Sequence, residues 1–211
     1  MEDLIPIYNG GGDFTDDLMD LQEGAYDAVV VFVADCGMQE NTYNHKMQPK
    51  VAIGFELEVP NLDHHVVMYK EVTNSAGSNG NLYDLVTTLI DSWTAPDLAT
   101  PVNGQRFNLQ MLLNRQATIR VTRHGKNGNE YKRAIIQKVL PGRGKIVQPS
   151  EPAFAYGLKM GRNDVFSKLP YFLQKDIEKN LGDAPVQEAP KAVDTSDPAE
   201  PLDISELDLP F

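Results

Sequence analysis

The residues that could do chemistry in this chain are cations interleaved with rings. Between Leu112 and Val147 stand Arg115, Arg120, Arg123, Lys126, Lys132, Arg133, Lys138, Arg143 and Lys145, against Glu130 alone. Tyr131 lies among them, and Tyr43, Lys46, Lys50, Tyr69 and Lys70 form a second set upstream. Cations neutralise phosphates and tyrosine rings stack bases, each stacked base contributing roughly 1–3 kcal/mol. The pattern suits a single-stranded nucleic acid held with little base preference. The blander alternative is that the charges solvate an exposed hairpin and block edge pairing.

Bond-making chemistry finds no comparable set. Cys36 has no histidine near it in sequence, and it reads as a small buried side chain rather than a nucleophile. His64 and His65 are adjacent and point to opposite faces of a strand, so they do not share a metal, while His45 and His124 are isolated. Gly10-Gly11-Gly12 lacks the Lys-Ser/Thr and the strand–loop–helix context of a phosphate loop. No catalytic residue, metal or cofactor is expected.

Charge is unevenly distributed over the 211 residues, whose net charge is -11. Seven acids and no Lys or Arg precede Ala25; after Leu181, eight acids face Lys191 alone. The acidic pI near 4.7 therefore describes the ends and not the middle. Local potential decides the partner, because screening cuts off fields beyond about 10 Å at ordinary salt. One cysteine, an acidic opening without the pattern of a leader, and no long apolar run lead to the expectation of a soluble protein in a reducing compartment.

The elements that must carry these side chains are mostly strands. Tyr26–Ala34 is β-branched and apolar throughout, which fits a strand buried on both faces or one curled into a barrel. Asp35-Cys36-Gly37 should then bend the chain, and 40–48 reads as a polar loop. Lys50–Val59 alternates, with Val51, Ile53, Phe55, Leu57 and Val59 inward and Lys50, Ala52, Gly54, Glu56 and Glu58 outward. Gly54 marks a bend or a close backbone approach. His65–Val72 is a third strand. Leu82–Trp93 carries one apolar stripe at helical spacing, with Asn81 as cap and Asp84 behind it. A short helical turn is expected in Phe107–Asn114. Asn127-Gly128 supplies a tight turn between two strands of a hairpin, 117–140, with Ile119 and Val121 inward and Thr118, Arg120 and Thr122 outward.

Strand, strand, strand, helix, strand, strand is the order of the OB-fold, a five-stranded Greek-key barrel; a different α+β sheet with one helix is the alternative. The chain divides into an acidic arm (1–24), the mainly β OB domain (25–147), an extension with a docking helix (148–182) and an acidic tail (183–211). In the extension Leu169, Leu173, Ile177 and Leu181 share a helix face, with Phe172 beside them, Pro170 as starter and Gly182 as stop. The tail closes on Glu206, Leu207, Asp208, Leu209, Pro210 and Phe211, an apolar anchor among carboxylates.

That acidic Pro-Phe ending resembles the tip of bacterial single-stranded DNA-binding proteins. The stretches YDAVVVFVADCGMQ, KVAIGFELEV, NLYDLVTTLIDSW, FNLQMLLNRQATIRV and LPYFLQKDIEKNL resemble phage-encoded OB-fold single-stranded DNA-binding proteins. The resemblance implies a non-enzymatic protein in the cytoplasm of a bacterial host. It would coat single-stranded DNA in phage replication, recombination and repair, and recruit proteins through residues 206–211; assembly into a homo-oligomer is possible. It assigns no role to the acidic arm. DNA contacts are expected at Tyr43, Lys46, Lys50, Tyr69, Lys70, Arg120, Arg123, Lys126, Tyr131, Lys132 and Arg133. The rival expectation is an OB-fold module of a phage replisome that binds protein and not DNA. A weaker third is a DNA mimic that uses the acid surface.

Overall fold

The computed structural model describes residues 21–41, 44–60, 62, 64–125 and 132–181. The chain is mainly β. Strands β1 (Gly24–Glu40), β2 (Met47–Leu57) and β3 (Val66–Thr73) form a meander, followed by helix α1 (Asn81–Leu89) and a 3-10 turn at Leu109–Leu112. Then come β4 (Gln116–Gly125), β5 (Lys132–Pro141), the short β6 (Phe154–Tyr156), a second 3-10 turn, α2 (Asp164–Ser167) and α3 (Tyr171–Glu178). The sheet runs β3-β2-β1-β4-β5, antiparallel at every step, and β6 lies parallel to β1 over residues 32–34. Its edges, β3 and β5, approach each other without a backbone ladder, so the sheet is open. Helix α1 touches both edge strands across that gap.

The expected bend at Asp35-Cys36-Gly37 does not end β1. The strand runs on to Glu40 and takes up the extra residue as a bulge, with Gly37 at φ +69°. A second bulge lies between Val30 and Phe32. Two bulges let a 17-residue strand curl tightly enough to pair with β2 from Ala28 to Glu40 and with β4 from Gly24 to Val29.

There is a core on each face of the sheet. The inner one joins Ala28, Val30 and Val33 to Val51, Ile53, Phe55 and Leu57, with α1, Trp93, Ile119 and Val121. The outer one joins Val29, Val31, Phe32, Ala34, Cys36 and Ala52 to Tyr156, Phe166, Leu169, Leu173, Ile177 and Leu181. Of the two readings of β1, burial on both faces is the one observed. The alternation puts Lys50, Ala52, Gly54, Glu56 and Glu58 on the outward side of β2. In its middle, Ala52 packs with residues after Val147, Glu56 is capped by Ser150 and Gly54 lies under the Phe32 ring, so all three are buried. Alternation located the inner face of β2 but carried no information about a layer added from ninety or more residues downstream.

Smaller corrections concern helix ends. Gly80, not Asn81, is the N-cap of α1 and has no side chain to cap with; Asn81 is the first helical residue. The helix stops at Leu89, while Ile90 and Trp93 remain buried beyond it. Helix α3 starts after Pro170 as expected but ends at Glu178, short of Gly182.

Thr118 faces outward as expected, yet it is fully buried, and its hydroxyl has no hydrogen-bond partner among the described residues. A buried hydroxyl that has left water without a partner is destabilising by about 1–3 kcal/mol. Thr118→Val keeps the shape and removes the unpaired dipole. It is expected to raise stability by about 1 kcal/mol, read as a higher urea midpoint at unchanged m-value.

Candidate nucleic-acid interface

Arg120 sits mid-way along β4 and points to the outer face, directly opposite Lys138 on β5 and Ala25 on β1. Both cations are exposed, and neither has a carboxylate partner among the described residues. Like charges directly opposed on neighbouring strands are destabilising. The register that creates this pair depends on a bulge between Arg120 and Val121, where β5 contributes Gln137 as the extra residue. Ile135, 39% exposed, stands on the same face opposite Thr122. Arg143, also exposed and without an ion pair among the described residues, follows at the end of β5. Cations and an apolar side chain therefore share one accessible strip.

The strip has an acidic margin. Lys145 Nζ lies 2.7 Å from Glu58 Oε1, a hydrogen-bonded pair that holds the ammonium pKa above its ordinary value. Glu23 Oε1 accepts from Thr122 Oγ1 at 3.1 Å and from the Arg123 backbone N–H at 2.7 Å. Among the described residues, Arg120 and Lys138 on this face and Arg143 beyond β5 carry no ion pair and are available to a phosphate.

The other expected contacts scatter. Tyr43, Lys126 and Tyr131 lie outside the described residues, as do Glu206, Leu207, Asp208, Leu209, Pro210 and Phe211. Lys132 and Arg133 are placed by backbone register alone, opposite Gly125 and His124. Arg123 alternates with Arg120 the wrong way: it is three residues on and opposite Ala134, on the inner side. Lys46 is exposed in the loop before β2. Lys50 Nζ donates to Thr73 Oγ1 at 3.2 Å. Tyr69, opposite Gly54, packs against the outer core.

Lys70 is opposite Ile53 and so shares the inner face with Met68 and Val72, away from Tyr69. Burial lowers its ammonium pKa. The charged form is disfavoured in the folded chain, so the penalty is present below the folded pKa and fades as pH rises towards the unfolded value near 10.4. Lys70→Met is expected to stabilise by about 0.5 kcal/mol at neutral pH, after allowance for partial exposure, and the gain should shrink by about pH 10. Denaturant melts at the two pH values check it.

The outer side of β1 and β2 is closed by the chain's own extension. Gln116 clasps Val147, donating to its carbonyl at 3.1 Å and accepting from its N–H at 2.8 Å. Buried Glu56 Oε1 accepts from the Ser150 N–H at 2.8 Å and the Ser150 hydroxyl at 2.6 Å, and it pairs with His65 Nδ1 at 2.5 Å. Asn180 accepts from the Met38 N–H and donates to the Cys36 carbonyl, fixing the end of α3 to the bulge. Serine, histidine and glutamate meet here, but not as a hydrolytic set. Ser150 Oγ and Glu56 both lie at Nδ1 of His65, whereas a triad places serine on the other ring nitrogen. Cys36 is fully buried, and burial pushes its thiol pKa up, which removes thiolate reactivity.

Sequence reasoning counted Lys138 in the cation excess but left it out of the contact set. Only the bulged register places it against Arg120. The Glu56 clasp was missed as well, because a glutamate at an outward position of an alternating strand signals solvent. No protein-family model matches the chain, and no curated protein matches it.

Proposed function

We propose that this chain is a non-enzymatic protein that binds and coats single-stranded DNA, and that its mainly β domain is an OB-fold left open between β3 and β5. The observation that supports this best is the directly opposed, uncompensated pair Arg120 and Lys138 on an accessible face. A pair that weakens the apo fold is accounted for if an anion normally lies across it. In OB-folds the strand 2–3 face is the usual ligand platform; here residues after Val147 fill most of the corresponding outer face. The DNA path we propose therefore crosses β4 and β5. On this reading the protein works in replication and recombination of a phage, in the cytoplasm of its bacterial host, and residues 206–211 recruit partner proteins.

One observation favours a second reading. A covered ligand face suits an OB module that binds protein and not DNA. Titration of labelled oligo-dT against duplex of equal length separates the two. The first reading expects selective, salt-sensitive binding of the single strand. With about three phosphate contacts and a slope of about 0.7 for each, affinity falls about twenty-fold between about 50 mM and about 200 mM salt. Absence of binding to either ligand at the lower salt overturns it in favour of the protein-binding module.

A further inference from the structure

The ladder between β1 and β4 starts with Gly24 opposite Val121, while β4 itself runs on to Gly125. The backbone N–H of Arg123 lies beyond that last pair on the β1 side, and an oxygen of the exposed Glu23 carboxylate accepts it at 2.7 Å. The same oxygen accepts the Thr122 hydroxyl at 3.1 Å. A length of 2.7 Å is that of a charge-assisted bond, so these two donors form a niche that holds an anion. Glu23 continues the register to Thr122, which puts its carboxylate on the outer face, beside Ala25 and Arg120. Arg120 and Thr122 are two residues apart on one strand, about 7 Å along it. The resident carboxylate satisfies the amide and the hydroxyl, yet Arg120 has no carboxylate partner among the described residues.

We propose that the Thr122 hydroxyl and the Arg123 N–H form a phosphate subsite, that Glu23 occupies it in the free chain, and that a DNA phosphate displaces the carboxylate. Backbone N–H, hydroxyl and arginine are the groups that hold phosphates in nucleic-acid complexes, and all three meet at this end of the strip. A phosphate carries its charge on more than one oxygen. One oxygen can take the two donors that Glu23 now holds while another faces Arg120. Displacement needs no unpairing of the sheet, because Glu23 precedes the first β1–β4 pair and its side chain can turn to solvent. Glu23 then works as a counter-ion that the ligand must replace. It lowers affinity for weak anions and leaves the niche to a ligand that also engages Arg120 and Lys138. The displacement by DNA rests on the path proposed over β4 and β5; the subsite itself is testable with phosphate alone.

Glu23→Ala in the isotope-labelled full chain vacates the niche. Inorganic phosphate should shift the Thr122 and Arg123 amides of this variant at about tenfold lower concentration than in the parent, and chloride at equal ionic strength should leave them in place. Tyr26 and Ile119 amides at their parent positions confirm that β1 and β4 are still paired. Oligo-dT should bind Glu23→Ala about tenfold more tightly than the parent at about 50 mM salt. Asp164→Asn removes one negative charge from α2 and should change affinity by no more than about twofold. Thr122 and Arg123 amides that phosphate does not move in Glu23→Ala overturn the proposal and reduce Glu23 to a cap on an unpaired amide. Equal shifts with chloride overturn it as an effect of ionic strength. Oligo-dT affinity that rises no more in Glu23→Ala than in Asp164→Asn overturns displacement by DNA while the DNA reading stands. Phosphate shifts as expected, with no oligo-dT binding by any of the three chains, retain the subsite and overturn the DNA reading.

Discussion

Reversing Arg120 and Lys138 together to glutamate is expected to weaken oligo-dT binding about 100-fold at about 50 mM salt, and to lower the salt slope by about 1.4. The slope follows from two lost phosphate contacts at about 0.7 each. The fold-change corresponds to roughly 2.7 kcal/mol, a reasonable sum for two surface contacts replaced by repulsion. Both side chains are exposed and their strands are held by buried neighbours, Ile119 and Val139, so the fold should tolerate the change. The single variants should be more stable than the parent by a few tenths of a kcal/mol, because either one converts a like-charge pair into an opposite-charge pair. Greater apo stability together with weaker binding is the signature of a pair kept for its ligand. The control is Lys159→Glu with Lys179→Glu, which makes the same change in net charge outside β4 and β5. It should alter affinity by no more than about threefold, since exposed charges beyond a Debye length are screened. Equal losses from the two double variants would mean that net charge, and not this strip, carries the binding.

Element order was legible in the sequence because each period was clean: β-branched alternation in β2 and β4, a single apolar stripe in α1, a Pro-started stripe in α3. The inner core followed from the same periods, and Phe55, Trp93, Ile119 and Leu173 are all buried. Faces that depend on long-range cover were not legible. Ala52 and Glu56 alternate outward in a strand read alone; they are buried because a segment beginning at Val147 lies on them. The cationic site suffered from the same limit in another form. Nine cations in a row of sequence cannot all face one way on alternating strands, and the bulge at Gln137 decides which of them meet. Arg120 and Lys138 come together across it, while Arg123 goes to the other side. Bulges leave little trace in composition, so the number of cations was readable and their arrangement was not. The acidic ends were readable as charge, and the aromatic pair of α3 only as composition. Phe172 lies beside the apolar stripe and is exposed, because the 100° step of the helix carries it past the buried edge.

A large loss of stability is expected at Gly54, where a methyl group has nowhere to go. A Cβ built there would sit 2.1 Å from Phe32 Cε1 and 2.2 Å from Cδ1, well inside contact distance. Phe32 is directly opposite in the ladder, so the clash is between cross-strand neighbours and cannot be relieved by sliding one strand. Nor can the ring swing away freely. It is stacked on Phe154 of β6 at 5.6 Å with the planes 18° apart, and β6 is itself hydrogen-bonded to β1 over residues 32–34. Gly54→Ala should therefore destabilise by about 3 kcal/mol, the upper end for overpacking in a rigid core. Phe32→Ala alone should cost about 3–5 kcal/mol through the cavity it opens. In the double variant the new methyl occupies part of the space left by the ring, so the two losses should fall short of their sum by at least about 2 kcal/mol. Urea midpoints of the four chains measure that coupling. Strict additivity would show that the backbone at Gly54, and not the Phe32 ring, sets the requirement for glycine. Phe32 and Phe154 belong to the layer that closes the outer face of β1 and β2, so the same four chains separate the two surfaces of the sheet. If oligo-dT runs over Arg120 and Lys138, its affinity should stay within about threefold across the folded members of the cycle, because the strip on β4 and β5 does not rest on the Phe32 ring. An affinity that tracks the disruption of that layer would instead place the ligand beneath the extension, on the face that the second core now fills.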